Sequence, residues 1–75
     1  MPALPVVTAR RLLQVLQRAG FRIHHQTGGH VHLRHPDKPQ LRVVVPYHGR
    51  ELAPKTLRTI IAQADMTVEE FAAHL

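Results

Sequence analysis

The spacing of apolar positions predicts a helix near the start of the chain. Between Thr8 and Gly20, apolar residues recur every three or four positions, with basic and amide side chains on the other side. Thr8 suits the N-cap because its hydroxyl can accept a hydrogen bond from an unpaired backbone N–H, and Gly20 suits the C-terminal end. The apolar stripe of this predicted helix consists of Ala9, Leu12, Leu13 and Leu16.

After the first helix the period changes to two, which is typical of strands that bury one face. The alternation predicts strands over 21–26, 30–35 and 41–45, separated by turn signals at 27–29 and 36–39. Strands joined by such short turns pair antiparallel. We therefore expect a three-stranded antiparallel sheet.

Two helices are predicted after the sheet. Pro54 suits the first turn of a helix, because its missing N–H would be unpaired there in any case. Thr67 and Glu70 have the spacing of a capping box, which predicts the start of a shorter helix. The residues predicted to point inward from these two helices are Leu57, Ile60, Ile61, Ala64, Phe71 and Leu75.

These elements together predict an α+β domain with two layers, in the order α-β-β-β-α followed by a short C-terminal helix. The helices would cover one face of the antiparallel sheet and leave the other face exposed. The whole chain, 1–75, would form a single domain with a flexible N-terminus over 1–7.

Composition narrows the functional classes. The 75 residues include ten Lys and Arg, five Asp and Glu and no Cys, for a formal net charge of +5. The lack of cysteine excludes a disulfide framework, a thiolate metal site and a thiol nucleophile. No apolar run approaches the ~20 residues of a membrane helix, and the N-terminus does not resemble a secretory signal, so we expect a cytoplasmic protein. The basic charge favours a polyanionic partner, most often nucleic acid.

One face of the predicted sheet concentrates this charge. Alternation places Arg22 and His24 of the first strand on that face, beside residues of the second strand, and Arg42 of the third strand joins them. The second strand contributes His30, His32 and Arg34. An ordinary solvated face is the alternative. Because the face lacks acids, a phosphate-rich ligand is favoured.

His30 holds a special position within this face, directly after Gly28 and Gly29. Glycine lets a ligand approach the backbone closely, and histidine exchanges a proton near neutral pH, since its unperturbed pKa is about 6.5. In RNA cleavage such a group would deprotonate the 2′-hydroxyl or protonate the leaving 5′-oxygen. Simple solvent exposure is the alternative for a lone histidine in a turn.

The remaining histidines and cations have less specific patterns. A metal site built on His30, His32 and His35 is disfavoured, because the ligand spacing is wrong and no acid lies nearby. We expect His25 and His35 on the apolar side or near strand ends, partly buried and hydrogen-bonded. Three further residues are candidate phosphate contacts: His48, Lys55 and Arg58. Simple solvent exposure is the alternative for each of them.

Several short segments together resemble the HicA-type toxins, which are mRNA interferases. The resemblance covers residues 8–71, and no single piece of it is specific. The matching segments are Gly20-Phe21, Gln26-Thr27-Gly28-Gly29-His30, Val45-Pro46-Tyr47-His48, Thr56-Leu57-Arg58, Ile60, Gln63-Ala64 and Val68-Glu69-Glu70-Phe71.

The resemblance implies a fold like the double-stranded RNA-binding domain. It also implies cleavage of mRNA without a metal or cofactor, and neutralisation by a HicB-type antitoxin that covers the active site. The catalytic histidine of the family's Gly-Ser-His motif corresponds to His30, and its turn glycine to Gly28. The chain departs from the family at three positions: Gly29 replaces a serine, His25 an arginine and Lys55 a glycine. A non-catalytic RNA-binding module, or a protein that only docks an acidic partner, remains open as an alternative.

Overall fold

The computed structural model describes residues 3–75 and has one three-stranded antiparallel sheet, with the strands in the order β1-β2-β3. The elements are α1 (Ala9–Arg18), β1 (Arg22–Thr27), β2 (His30–His35), β3 (Lys38–Pro46), α2 (Pro54–Gln63) and α3 (Val68–Ala73). The helix, the three antiparallel strands and the two further helices confirm the predicted α+β class and element order.

The ends of α1 follow the predicted capping. The Thr8 hydroxyl accepts from the backbone N–H of Arg11 at 3.2 Å. At the other end Gly20 has φ +100°, and the N–H of Phe21 donates to the carbonyl of Leu16 at 3.0 Å. This is the Schellman arrangement, in which a left-handed glycine lets the chain reverse and satisfy the last carbonyls of the helix.

His35 packs against the end of α1. Its Nδ1 accepts from the N–H of Asp37 at 3.1 Å, so its Nε2 is the donor to the carbonyl of Ala19 at 3.1 Å. The ring lies edge-on to Phe21, with centroids 5.0 Å apart. A Cβ on Gly20 would come within 2.6 Å of the His35 ring. The expectation of a partly buried, hydrogen-bonded histidine is thus confirmed for His35.

The core lies between the helices and one face of the sheet. The sheet contributes Val31, Leu33, Val43 and Val45, each 2% exposed or less. The helices contribute Ala9, Leu12, Val15, Leu16, Leu57, Ile60, Ile61 and Phe71. Leu75 was predicted to point inward, and this is wrong: its side chain is 40% exposed, because α3 ends at Ala73.

The segment before α1 also contributes to the core. Val7 is 5% exposed, and its carbonyl accepts from the N–H of Leu52 at 2.9 Å. Thr8 and Glu51 form an isolated antiparallel bridge at the same place. Val7, the last residue of the N-terminal segment expected to be flexible over 1–7, is thus packed into the core; the first two residues of that segment lie outside the described part of the chain.

The register of β1 contains an irregularity that alternation does not predict. Ile23 pairs with Leu33, but the next paired residue is His25, which lies opposite His32. The extra residue, His24, shifts the following side chains to the other face, as a β-bulge does. The prediction that His25 faces the apolar side is therefore wrong; His25 shares the polar face with His32.

The third strand begins earlier than predicted. β3 starts at Lys38, whereas the pattern assigned 36–39 to a turn. The register shifts between Arg34 and His35, and β3 is an edge strand, where a proline such as Pro39 is tolerated because one side of the backbone has no partner.

Candidate nucleic-acid interface

The outer face is the side of the sheet that points away from the helices, and strand register arranges its residues in three rows. The first row, the arginine row, consists of Arg22, Arg34 and Arg42. The second consists of His25, His32 and Val44, and the third of Thr27, His30 and Pro46. The structure thus brings together five of the predicted contacts: Arg22, His30, His32, Arg34 and Arg42.

The arginine row is a fixed concentration of positive charge. Arg22 lies opposite Arg34, and Arg34 lies opposite Arg42 on the other side. The three strands contain no Asp or Glu. Like charges on neighbouring strands repel, and guanidinium groups remain protonated in proteins, so an anion on this row relieves the repulsion. Because a guanidinium can bond two phosphate oxygens at once, the row suits phosphodiesters.

His30 lies at the tip of the hairpin between β1 and β2. It pairs with Thr27 across a two-residue turn, in which Gly28 has φ +54° and Gly29 does not have a positive φ. This is the pattern of a type II′ turn, which matches the twist of the strands. The side chain of His30 is exposed.

The hairpin tip is held to the end of β3. The N–H of Tyr47 donates to the carbonyl of Gly29 at 2.6 Å, which orders the backbone next to His30. A Cβ on Gly29 would meet only the carbonyl oxygen of Tyr47, at 3.9 Å, which is ordinary contact. A serine therefore fits at position 29 without a change in the turn.

Three imidazoles form what we call the histidine cluster, composed of His24, His25 and His32. The Nδ1 atoms of His24 and His25 are 2.7 Å apart, and the rings of His25 and His32 stack with centroids 4.2 Å apart and planes 12° from parallel. Nε2 of His32 lies 3.2 Å from the hydroxyl of Thr27. The cluster therefore joins the edge strand β1 to the centre of the outer face.

The environment of His32 favours its neutral form. Desolvation lowers the pKa of His32 below the ordinary value, and nearby positive charge on His25, His30 and His24 lowers it further. At neutral pH His32 contributes a ring and a hydrogen bond rather than a charge.

Three other predicted contacts lie apart from the outer face. Lys55 and Arg58 are exposed on α2, which packs its apolar side against the inner face of the sheet. His48 is exposed in the loop after β3, where its Nδ1 accepts from the N–H of Arg50 at 3.2 Å. His48 follows Tyr47, which is bonded to Gly29, so His48 lies near the hairpin tip. Lys55 and Arg58 lie on the other side of the sheet, with the helices.

Sequence reasoning missed three residues of this site. His25 was assigned to the opposite face, and only the bulge in β1 brings it to His32. Thr27 was treated as part of the turn, although its hydroxyl reaches His32. Tyr47 is an aromatic residue, 44% exposed, beside the hairpin tip. The signal in the sequence that could have identified Tyr47 is its position directly after Pro46, the proline that ends β3.

A shallow cavity of about 360 Å³ adjoins the arginine row at the end of the sheet opposite His30. It is lined by Arg22, Ile23, His24, Arg34, His35, Pro36 and Pro39. A ligand that runs from His30 to Arg34 at this cavity covers five residues of β2, which is about 13 Å of strand.

Two further observations concern metal ions and membranes. Among residues 3–75, no group of three or more His, Cys, Asp or Glu side chains is arranged to hold a metal ion. No helix in the described part of the chain is long and apolar enough to cross a membrane.

Comparison with known proteins gives the family. A search of curated proteins finds no match. A family model for the HicA toxin of bacterial toxin-antitoxin systems matches residues 9–66, which is more than three quarters of the chain and includes α1, the whole sheet and α2. Since the match extends over both layers of the fold, the chain belongs to the HicA toxin family.

Proposed function

We propose that this toxin is an endoribonuclease that cleaves mRNA without a metal ion, with His30 as general acid or base. The observation that carries the proposal is the position of His30: it is exposed, held at a hairpin tip, and lies on an acid-free face with the arginine row. The family match supports the toxin role, and the resemblance to mRNA interferases supports the reaction.

The proposed chemistry follows from the arrangement of the outer face. The arginine row binds the phosphates of the strand, and the ordered hairpin presents His30 to the scissile phosphodiester. His30 then removes the proton of the 2′-hydroxyl or gives a proton to the leaving 5′-oxygen. A single positioned proton-transfer group typically contributes about 10²–10⁴-fold in rate.

We infer that the partner of this toxin is a HicB-type antitoxin, which acts in the cytoplasm by covering the outer face. The support is the family itself, whose toxins belong to toxin-antitoxin systems. Three arginines on strands that contain no Asp or Glu also favour a partner that brings acidic side chains.

The test is cleavage of RNA by the purified protein in the presence of a chelator. We expect His30→Ala to lower the cleavage rate by at least about 10²-fold, as removal of a general acid or base does, while RNA binding is retained. The matched control is His74→Ala, because His74 caps α3 and lies outside the outer face. Cleavage by folded His30→Ala at the original rate would show that His30 is not catalytic.

A second candidate function is a non-catalytic RNA-binding module. The observation that favours it is Gly29, which removes the hydroxyl of the family motif directly before His30. The same assay separates the two functions: RNA that is bound but never cleaved, with and without added metal, would establish the binding module. A protein that only docks an acidic partner would instead show no RNA affinity even at low salt.

A further inference from the structure

We propose that the histidine cluster is a phosphate-binding subsite of the outer face, and that the subsite takes up one proton when it binds a phosphodiester. The inference rests on the proposed function for the nature of its ligand, RNA. It adds His25 to the site and assigns the cluster a role separate from the chemistry at His30.

The contact between His24 and His25 sets the charge that the subsite can hold. Their Nδ1 atoms are 2.7 Å apart, so one nitrogen donates a proton and the other accepts it. The contact can hold one positive charge: one ring is then an imidazolium that donates its Nδ1 proton, and the other is a neutral imidazole that accepts it. If both rings were charged, both Nδ1 atoms would be donors and the contact would break. The pair therefore carries one charge at most while its geometry is kept.

The stack between His25 and His32 restricts the positive charge to the pair of His24 and His25. The two rings are nearly parallel at 4.2 Å, and two stacked imidazolium ions at this distance would repel. His32 also has the Thr27 hydroxyl at 3.2 Å from Nε2. Desolvation and the neighbouring histidines lower the pKa of His32, so His32 is the neutral member of the stack and the single proton belongs to the pair of His24 and His25.

The ionisable groups that the strands place around the subsite are all basic. They come from each strand of the sheet: Arg22 from β1, His30 and Arg34 from β2, and Arg42 from β3. The helices lie on the other side of the sheet and do not face the cluster. These cations make the outer face around the subsite positively charged, which suits a phosphodiester.

A bound phosphodiester favours the proton of the pair of His24 and His25, since its negative charge lies next to that proton. Protonation and RNA binding therefore promote each other, and by linkage the effect is reciprocal. One linked proton changes the affinity by at most tenfold for each pH unit, because one unit corresponds to about 1.4 kcal/mol. We expect the affinity for RNA to rise by up to this factor as the pH falls through the titration range of histidine.

The experiment measures binding of a single-stranded RNA oligonucleotide that is 2′-O-methylated and so cannot be cleaved through its 2′-hydroxyl. All proteins carry His30→Ala, which removes the contribution of His30 to the pH dependence. Affinity is measured at constant ionic strength between about pH 5.5 and pH 8, where histidine titrates. In this background we expect the affinity to increase up to tenfold per pH unit as the pH falls.

The decisive variant is His25→Phe in the same background. Phenylalanine keeps an aromatic ring against His32 but has no nitrogen to protonate, and position 25 is exposed, so the fold is not affected. We expect this variant to lose most of the pH dependence. His24→Asn, which removes the paired ring, should do the same, whereas the control His74→Ala should keep the dependence.

Two results would overturn the inference: no pH dependence in the His30→Ala background, or an unchanged dependence after both His25→Phe and His24→Asn. The proposed function fails separately, if the unsubstituted protein does not cleave unmodified RNA. Binding of the methylated oligonucleotide does not depend on that outcome, so the two failures are distinguishable.

Discussion

At the scale of single residues, the two glycines of the hairpin have different roles although they are neighbours. Gly28 has φ +54°, in the left-handed region where a side chain is strained, and nothing lies within 4 Å of the place its Cβ would take. Gly29 has neither a positive φ nor a close neighbour. The turn therefore requires glycine at the first position only.

This difference predicts the stability of two matched variants. Gly28→Ala should lower the free energy of unfolding by about 1–2 kcal/mol, the cost of a left-handed side chain. Gly29→Ser, which restores the serine of the family motif, should change it by less than about 0.5 kcal/mol. Thermal unfolding measures both, and for a domain of this size 1 kcal/mol shifts Tm by about 4–8 °C. Equal losses for the two variants would contradict the assigned turn.

At the scale of elements, α3 is a short helix whose start depends on two reciprocal hydrogen bonds between Thr67 and Glu70. The N–H of Thr67 donates to the Glu70 carboxylate at 2.9 Å, and the N–H of Glu70 donates to the Thr67 hydroxyl at 3.0 Å. The bond from the Thr67 backbone is the main reason that the pKa of Glu70 lies below its ordinary value. The predicted capping box is thereby confirmed, and it is sensitive to acid.

The sign of this pH dependence follows from the lowered pKa. The stabilisation by ionised Glu70 is fully present above its unfolded pKa of about 4.3 and is lost as the pH falls through the lower folded pKa. Glu70→Gln keeps an acceptor at this position but does not titrate. We expect the wild type to be more stable than Glu70→Gln at pH 7, with the difference in Tm shrinking below about pH 4. A difference that is constant with pH would contradict this.

The bulge in β1 is the second feature that belongs to the scale of elements. One extra residue, His24, reverses the facing of His25 and creates the stack with His32. β1 is an edge strand, and all six of its residues are exposed, so no buried side chain opposes the irregularity. The histidine cluster is a consequence of this shift in register.

At the scale of the whole molecule, the two layers separate packing from charge. The inner face and the helices hold the apolar core, while the outer face holds the arginine row, His30 and the histidine cluster. RNA bound to this face should show a strong dependence on salt, because each phosphate contact in a single strand contributes a slope of about −0.7 in log affinity against log salt.

Two arginine variants test whether RNA binding depends on where the positive charge lies or only on the net charge of the protein. Arg34→Gln removes the central member of the arginine row, and we expect the salt slope to lose about 0.7 in magnitude. Arg10→Gln removes the same charge from the exposed side of α1 and should leave the slope nearly unchanged. Equal effects in titrations over a range of salt concentrations would show that net charge matters and the outer face does not.

The sequence by itself determined the element types and the position of His30. Caps, turn residues and hydrophobic periods are local features, so Thr8, Gly20 and the Thr67 capping box could be read directly from the chain. The arginine row was also accessible, because alternation puts every second residue of a regular strand on one face.

Only the tertiary structure decided which side chains meet across that face. The alternation argument assumes that the strand register is unbroken. The register shifts at His24, so the argument assigned His25 to the wrong face. The burial of Val7 depends on pairing with a segment more than forty residues away, at Leu52. The positions of Lys55 and Arg58 depend on which face α2 covers. These features arise from contacts between distant parts of the chain, and local patterns carry no information about such contacts.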